Sequence, residues 1–200
     1  MTSAGRSSWA ARPISTRRRA RPAGAIASRN PLKEHHPGDL NIGIVGFGAR
    51  ASLWTEAHRP GRGSRVVAVC DPAERARADA RTALPEASVT ESLDELLAMG
   101  LDAVMVLTPD HQHAPVAIAA LEAGVPAFCE KPLAVTVDDA DAILETARRT
   151  GTRLYVGHNM RHMSVVVLMR RLIQEGRIGD VKAIWCRHFV GNGGDFYFKD

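Results

Sequence analysis

From Leu40 onward, short apolar runs alternate with stretches of helical periodicity. The first run, Leu40–Val45, stops at Gly46, and a helix is expected from about Ala49, fading before Pro60-Gly61. Arg65–Cys70 is a second, β-branched run that ends at Asp71. Pro72 fits a first helical position, and Ala73–Ala83, rich in Ala, Arg and Glu, predicts the helix behind it. Ser88–Thr90 reads as a brief strand. Ser92 and Glu95 have the spacing of a capping box for a helix over Leu93–Met99, with Gly100 as its stop. Asp102–Leu107 is a fourth, almost wholly apolar strand. A helix over His113–Ala123 ends at Gly124, and Val125–Cys129 follows as the fifth strand. Thr136 through Thr150 predicts another helix, closed by Gly151, and Arg153–Val156 is the sixth strand.

Apolar strands alternating with helices need cover on both faces, which a parallel sheet between helical layers provides. Right-handed crossovers then restrict the topology. The fold class is therefore α/β, a doubly wound parallel-sheet Rossmann domain over residues 40–156. Beyond it, Val165–Glu175 predicts a helix stopped by Gly176, and Val181–Arg187 predicts a strand. One helix and one strand do not make a domain.

The 200 residues are 45% hydrophobic and 24% charged, ordinary for a globular protein, and no apolar run is long enough to span a bilayer. The formal charge of +4 changes meaning once it is located. Residues 1–39 hold eight Lys/Arg against two acids; the rest holds 18 against 20. The basic excess belongs to the tail, so the body offers no basic face for nucleic acid. Residues 1–39 lack apolar periodicity and are expected to be disordered. Arg17-Arg18-Arg19 resembles an export signal only in part, because Arg21, Pro22 and Arg29 interrupt the segment behind it. A non-functional extension is the favoured reading, ahead of a transit peptide or an early start codon. Cys70, Cys129 and Cys186 lie in apolar strand-like runs at unequal spacing, which predicts buried, reduced thiols in a cytoplasmic protein and no metal site.

The candidate chemistry starts at Gly46-Phe47-Gly48-Ala49-Arg50-Ala51. A lone glycine turn is a weak signal. This one follows an apolar strand, opens a helix, carries Ala51 at the close-packing position and is followed by Asp71 at the end of the next strand. Gly46 supports the tight turn, Gly48 lets the backbone approach a pyrophosphate, and the helix start offers unpaired N–H groups. Asp71 would accept hydrogen bonds from both adenosine ribose hydroxyls and repel a 2′-phosphate. This favours NAD, with NADP as second choice because Arg50 and Arg75 would blunt the repulsion.

Strand four ends in Thr108-Pro109-Asp110-His111-Gln112-His113 and strand five in Glu130-Lys131-Pro132. In an open parallel sheet both belong at the crevice beyond the carboxyl ends of the strands. The two histidines lack a third metal ligand; one is expected to cap or line the crevice and the other to face water. Glu130-Lys131 could be a plain surface ion pair. Alternatively, Lys131, desolvated in a pocket, could exchange a proton with a substrate hydroxyl.

These motifs, with Gly43-Ile-Val-Gly46, Asp71-Pro72, Gly157-His-Asn159-Met-Arg161 and Glu175-Gly-Arg-Ile-Gly179-Asp-Val-Lys, resemble the glucose–fructose oxidoreductase / inositol 2-dehydrogenase / rhizopine-catabolism (Gfo/Idh/MocA) family over about residues 40–200. The resemblance implies NAD(P)-dependent oxidoreduction of a sugar, cyclitol or related polyol. It assigns Lys131 the catalytic acid/base role. It places Thr108, Pro109, His113 and Glu130 beside the cofactor, Asn159 and Arg161 near the cofactor and the domain junction, and a cis bond at Lys131-Pro132. It also implies that residues 157–200 are the incomplete start of an α+β substrate and oligomerisation domain, with a homo-oligomer as the full-length state. On that basis the chain is expected to be a fragment that binds cofactor, turns over little, and exposes an unpaired edge. Two other classes stay open: a non-catalytic dinucleotide-binding module, and NAD-assisted glycoside hydrolysis of the same family.

Overall fold

The computed structural model describes residues 38–187. The expected tail and the segment from 188 onward lie outside them. Six strands, β1 (Leu40–Val45), β2 (Ser64–Cys70), β3 (Ser88–Thr90), β4 (Ala103–Val106), β5 (Ala127–Cys129) and β6 (Leu154–Val156), form one sheet in the order β3-β2-β1-β4-β5-β6. Every pairing is parallel. The strand order reverses between β1 and β4, so the connections leaving their carboxyl ends turn to opposite faces of the sheet and leave a crevice at that point.

The sheet is apolar on both sides because each side has its own core. Ile42, Ile44, Val66 and Val69 pack with Phe47, Ala80 and Leu84 under α2 (Glu74–Ala83). Val45, Ala68, Val104, Val106 and Cys129 pack on the other side with Leu96, Ala117, Leu121 and Ile143, from α3 (Leu93–Leu97), α4 (His113–Glu122) and α5 (Val137–Thr150). Leu121 and Ile143 have no solvent exposure, and each such side chain contributes about 1.5–3 kcal/mol. α5 follows its sequence signals closely. Thr136 accepts the Asp139 N–H at 3.1 Å, acids fill the first turn, Arg148 and Arg149 fill the last, and Gly151 closes it in the left-handed conformation.

Several local expectations are corrected. The helix after the glycine turn is short: a 3-10 turn over Ala51–Leu53 leads into α1 (Trp54–Ala57) only. Arg50 stands at φ −92°, ψ 1°, outside helical values, and the turn winds through Ala51 N–H to Gly48 O and Leu53 N–H to Arg50 O, the tighter spacing of a 3-10 helix. Pro72 lies outside α2, which starts at Glu74 after Ala73; the Asp71 carboxylate accepts the Ala73 N–H at 2.8 Å and turns the chain there. The capping box is half formed. Ser92 Oγ accepts the Glu95 N–H, but the Glu95 carboxylate takes the Thr90 hydroxyl, and Thr90 Oγ1 in turn accepts the Ser92 N–H.

The larger correction concerns the segment after β6. A 3-10 turn (Asn159–His162) leads to α6 (Ser164–Gln174), whose Val165, Val167, Met169 and Ile173 are all exposed. Val181–Arg187 is not a strand: no neighbour among the described residues pairs with it, and a single strand has no ladder to form. Cys186, expected to be buried, is exposed in that segment, whereas Cys70 and Cys129 are buried. No helix among the described residues is long and apolar enough to cross a membrane.

Candidate functional site

A cleft of about 810 Å³ opens at the strand-order reversal, within the size range of small-molecule sites. Of the residues singled out in the sequence, Gly46, Gly48, Ala49, Arg50, Asp71, Thr108 and Pro109 line it. Gly46 is positioned by its N–H on Cys70 O at 2.8 Å and has φ +92°. A Cβ there would stand 2.7 Å from Thr108 N and 2.8 Å from Leu107 C, so the β1 and β4 ends approach backbone to backbone. At Gly48 a Cβ would meet nothing within 4 Å, because that residue faces open cleft.

Asp71 couples the second strand to the turn. One carboxylate oxygen accepts the Phe47 N–H at 2.8 Å and the other the Ala73 N–H at 2.8 Å. The Phe47 ring lies in the core, 7% exposed, so this residue contributes its backbone rather than its side chain. Ala51 is likewise absent from the cleft wall. The N–H groups of Gly48, Ala49 and Arg50 take no acceptor among the described residues, which leaves three donors at the rim. Thr108 Oγ1 is buried and also lacks a partner.

The Glu130-Lys131-Pro132 loop sits beside this cleft through Glu130 N–H on Val106 O at 3.0 Å. Glu130 is 8% exposed, and its carboxylate pairs with Arg50 at 3.2 Å rather than with its neighbour Lys131. His113 is 1% exposed and does not line the cleft. Its Nδ1 lies 2.6 Å from Pro132 O and its Nε2 3.0 Å from Thr108 O, so one buried ring ties the two strand-end loops together. His111 faces solvent. Lys131 is exposed, and the described residues do not enclose it; the Lys131-Pro132 bond is cis. Asn159 and Arg161, in the turn after β6, are exposed and outside the cleft wall.

Sequence reasoning missed the wall made after β3, where Glu91 and Leu93 line the cleft together with Ala73, which precedes α2, and Ala76 of α2. The available signal was topological. A strand that pairs beyond β2 delivers its own carboxyl end to the same crevice. Ser88–Thr90 is too short for its place in the sheet to be read from pattern alone.

The groups present fit a dinucleotide. A backbone-only approach at Gly48, three free N–H donors, an unpartnered Thr108 hydroxyl and a carboxylate on the wall are what a pyrophosphate and a ribose diol require. Residues 40–158 match the model of an oxidoreductase family with an NAD-binding Rossmann fold, the Gfo/Idh/MocA family. The chain belongs to that family. It is 37% identical over 153 residues to inositol 2-dehydrogenase 1 of Saccharopolyspora erythraea, covering 74% of this chain and 45% of the relative. It is 34% identical over 155 residues to a 2,7-anhydro-N-acetylneuraminate hydratase of Mediterraneibacter gnavus, covering 77% and 40%. Among solved structures it is similar to the WlbA dehydrogenase of Bordetella pertussis in complex with NADH and UDP-GlcNAcA, at 29% identity and TM-score 0.66, covering 70% of this chain and 43% of that one. The chain thus spans less than half the length of the curated relatives it matches.

Proposed function

We propose that this chain binds NAD in the cleft between β1 and β4, and that the polypeptide it belongs to is an oxidoreductase acting on a sugar, cyclitol or related polyol. The observation that carries the reading is Asp71, which lines the cleft while bonding the glycine turn at Phe47. In this reading the N–H groups after Gly48 hold the pyrophosphate, Asp71 holds the adenosine ribose diol, and Thr108 Oγ1 gains the partner it lacks. NAD supplies the acceptor for a hydride from the carbinol carbon. Lys131 Nζ takes the proton of the same hydroxyl, and Glu130, fixed by Arg50, and His113, fixed on Pro132 O, hold the loop that presents it. Lys131, Asn159 and Arg161 lie exposed, and enclosure of the substrate falls to residues outside the described ones, in a second domain that starts after about residue 157.

Titrating the chain with NADH tests the site. Asp71→Arg is expected to abolish binding while the thermal unfolding transition persists; unchanged affinity in that variant rejects the assignment. In a longer polypeptide carrying the same site, Lys131→Ala is expected to keep NADH binding and lose turnover, and normal turnover removes Lys131 from the chemistry. A second reading, net non-redox chemistry in which hydride leaves and returns within one cycle, draws on the hydratase relative. Turnover without accumulation of NADH would favour it.

A further inference from the structure

Arg77 was not among the residues the sequence singled out, and it stands behind the cleft wall, yet it is the cation that holds the loop carrying Asp71. Its Nη1 donates to Asp71 O at 2.9 Å and to Pro72 O at 2.8 Å. Its Nε and Nη2 donate to one oxygen of Glu74 at 3.1 and 2.7 Å. Nη2 also lies 3.2 Å from the Glu91 carboxylate, and the Arg77 side chain is only 12% exposed. A guanidinium has five N–H groups, and here each nitrogen is engaged. Arg81 holds the other Glu74 oxygen at 2.8 Å, and Arg81 first, then Arg77, keep that carboxyl below its ordinary range.

The placement matters because an arginine near the end of the second strand can accommodate a phosphate on the ribose 2′ position. Arg75 is exposed on α2 and off the cleft wall, and Arg77 points its donors at its own loop. Meanwhile Glu91 joins Asp71 on the cleft wall, and the one basic residue on that wall, Arg50, is taken by Glu130. The two acids, Asp71 and Glu91, make that side of the wall negative.

We propose that Arg77 is a positioning residue that sets the preference for a dinucleotide without a 2′-phosphate: it fixes the loop carrying Asp71, and the Glu74–Glu91 clamp withholds its charge from a phosphate ester. This rests on the dinucleotide reading of the cleft.

The test titrates NADH and NADPH separately into the wild-type chain, the double variant Glu74→Gln/Glu91→Gln, and Arg77→Lys. Both acids are largely exposed, so the double variant is expected to fold, as a thermal melt would show. Its NADPH-to-NADH affinity ratio should rise about tenfold, the value of two exposed ion pairs turned from opposing to assisting a phosphate. Arg77→Lys keeps the charge but cannot span two carbonyls and two carboxylates, and should weaken NADH about fivefold to tenfold with the fold intact. A ratio within about twofold of wild type in the folded double variant, far short of the tenfold expected, overturns the proposal. Should that variant melt below the assay temperature, Glu91→Gln alone gives the same readout. A wild-type chain that binds neither dinucleotide refutes the cleft assignment itself, an outcome distinct from an unmoved ratio.

Discussion

At the Asp71 end of the cleft, every charged group is held by backbone or by an opposite charge: Asp71 by two N–H groups, Arg77 by two carbonyls and two acids, Arg50 by Glu130. At the Lys131 end the side chains of Lys131, Asn159 and Arg161 stand in solvent, followed by the exposed apolar residues of α6. The first region is assembled from the strand ends of one sheet, the turn after β1 and the start of α2, all within the Rossmann fold that pre-organises it. The second depends on groups that this sheet does not carry. The difference separates a cleft that one sheet pre-organises from side chains that the described residues leave open.

The hardest test of that contrast is Gly46→Ala. The new Cβ would meet backbone atoms under 3 Å away at φ +92°, and neither neighbour can yield as a flexible side chain would. Strain and overpacking together should lower the unfolding free energy by about 4 kcal/mol in a urea titration. Gly48→Ala, with open space around it, should leave the same transition in place and weaken NADH only; equal destabilisation by the two variants would remove the distinction between turn and approach.

His113→Leu comes next in size. It removes the ring N–H that bonds Thr108 O or Pro132 O inside the protein and should cost about 1–3 kcal/mol, read from the same titration. Lys131→Ala, by contrast, should stay within about 0.5 kcal/mol of wild type, as exposed positions do. A large loss from Lys131→Ala would mean the open end is more tightly built than its exposure indicates.

Thr108→Val separates stability from binding. It removes a buried hydroxyl that has no partner, so the unliganded chain should hold its stability or gain about 1 kcal/mol. NADH affinity should fall in the same protein. Loss of stability without loss of affinity would make Thr108 a packing residue.

The smallest effect is chemical. Burial pushes the Cys70 thiol up to about 11 and the Cys129 thiol up to about 12, so both remain protonated near neutral pH. Cys186 is exposed. Alkylation at pH 8 should label Cys186 within the time that leaves Cys70 and Cys129 untouched, as peptide mass mapping would show. Labelling at Cys70 would reveal that the Asp71 end opens in solution.

Much of the domain was legible along the chain. The apolar runs, the glycine stops at Gly100, Gly124 and Gly151, and Asp71 after the second run gave six strands and a dinucleotide turn, and the boundaries shifted by only a few residues. These are local signals: periodicity, caps and positive-φ glycines act over a few residues, so sequence carries them directly. The tertiary structure decided what depends on contacts across the chain. It set the order β3-β2-β1-β4-β5-β6, which brings Glu91 to the cleft. It gave Arg50 to Glu130, 80 residues away, in place of the Glu130-Lys131 pair that adjacency suggested. It buried His113 between two carbonyls, Thr108 O and Pro132 O, a setting that the residue pattern did not show. And among the described residues it left Val181–Arg187 unpaired, because β structure is made by a neighbouring strand, and a sequence pattern cannot supply one.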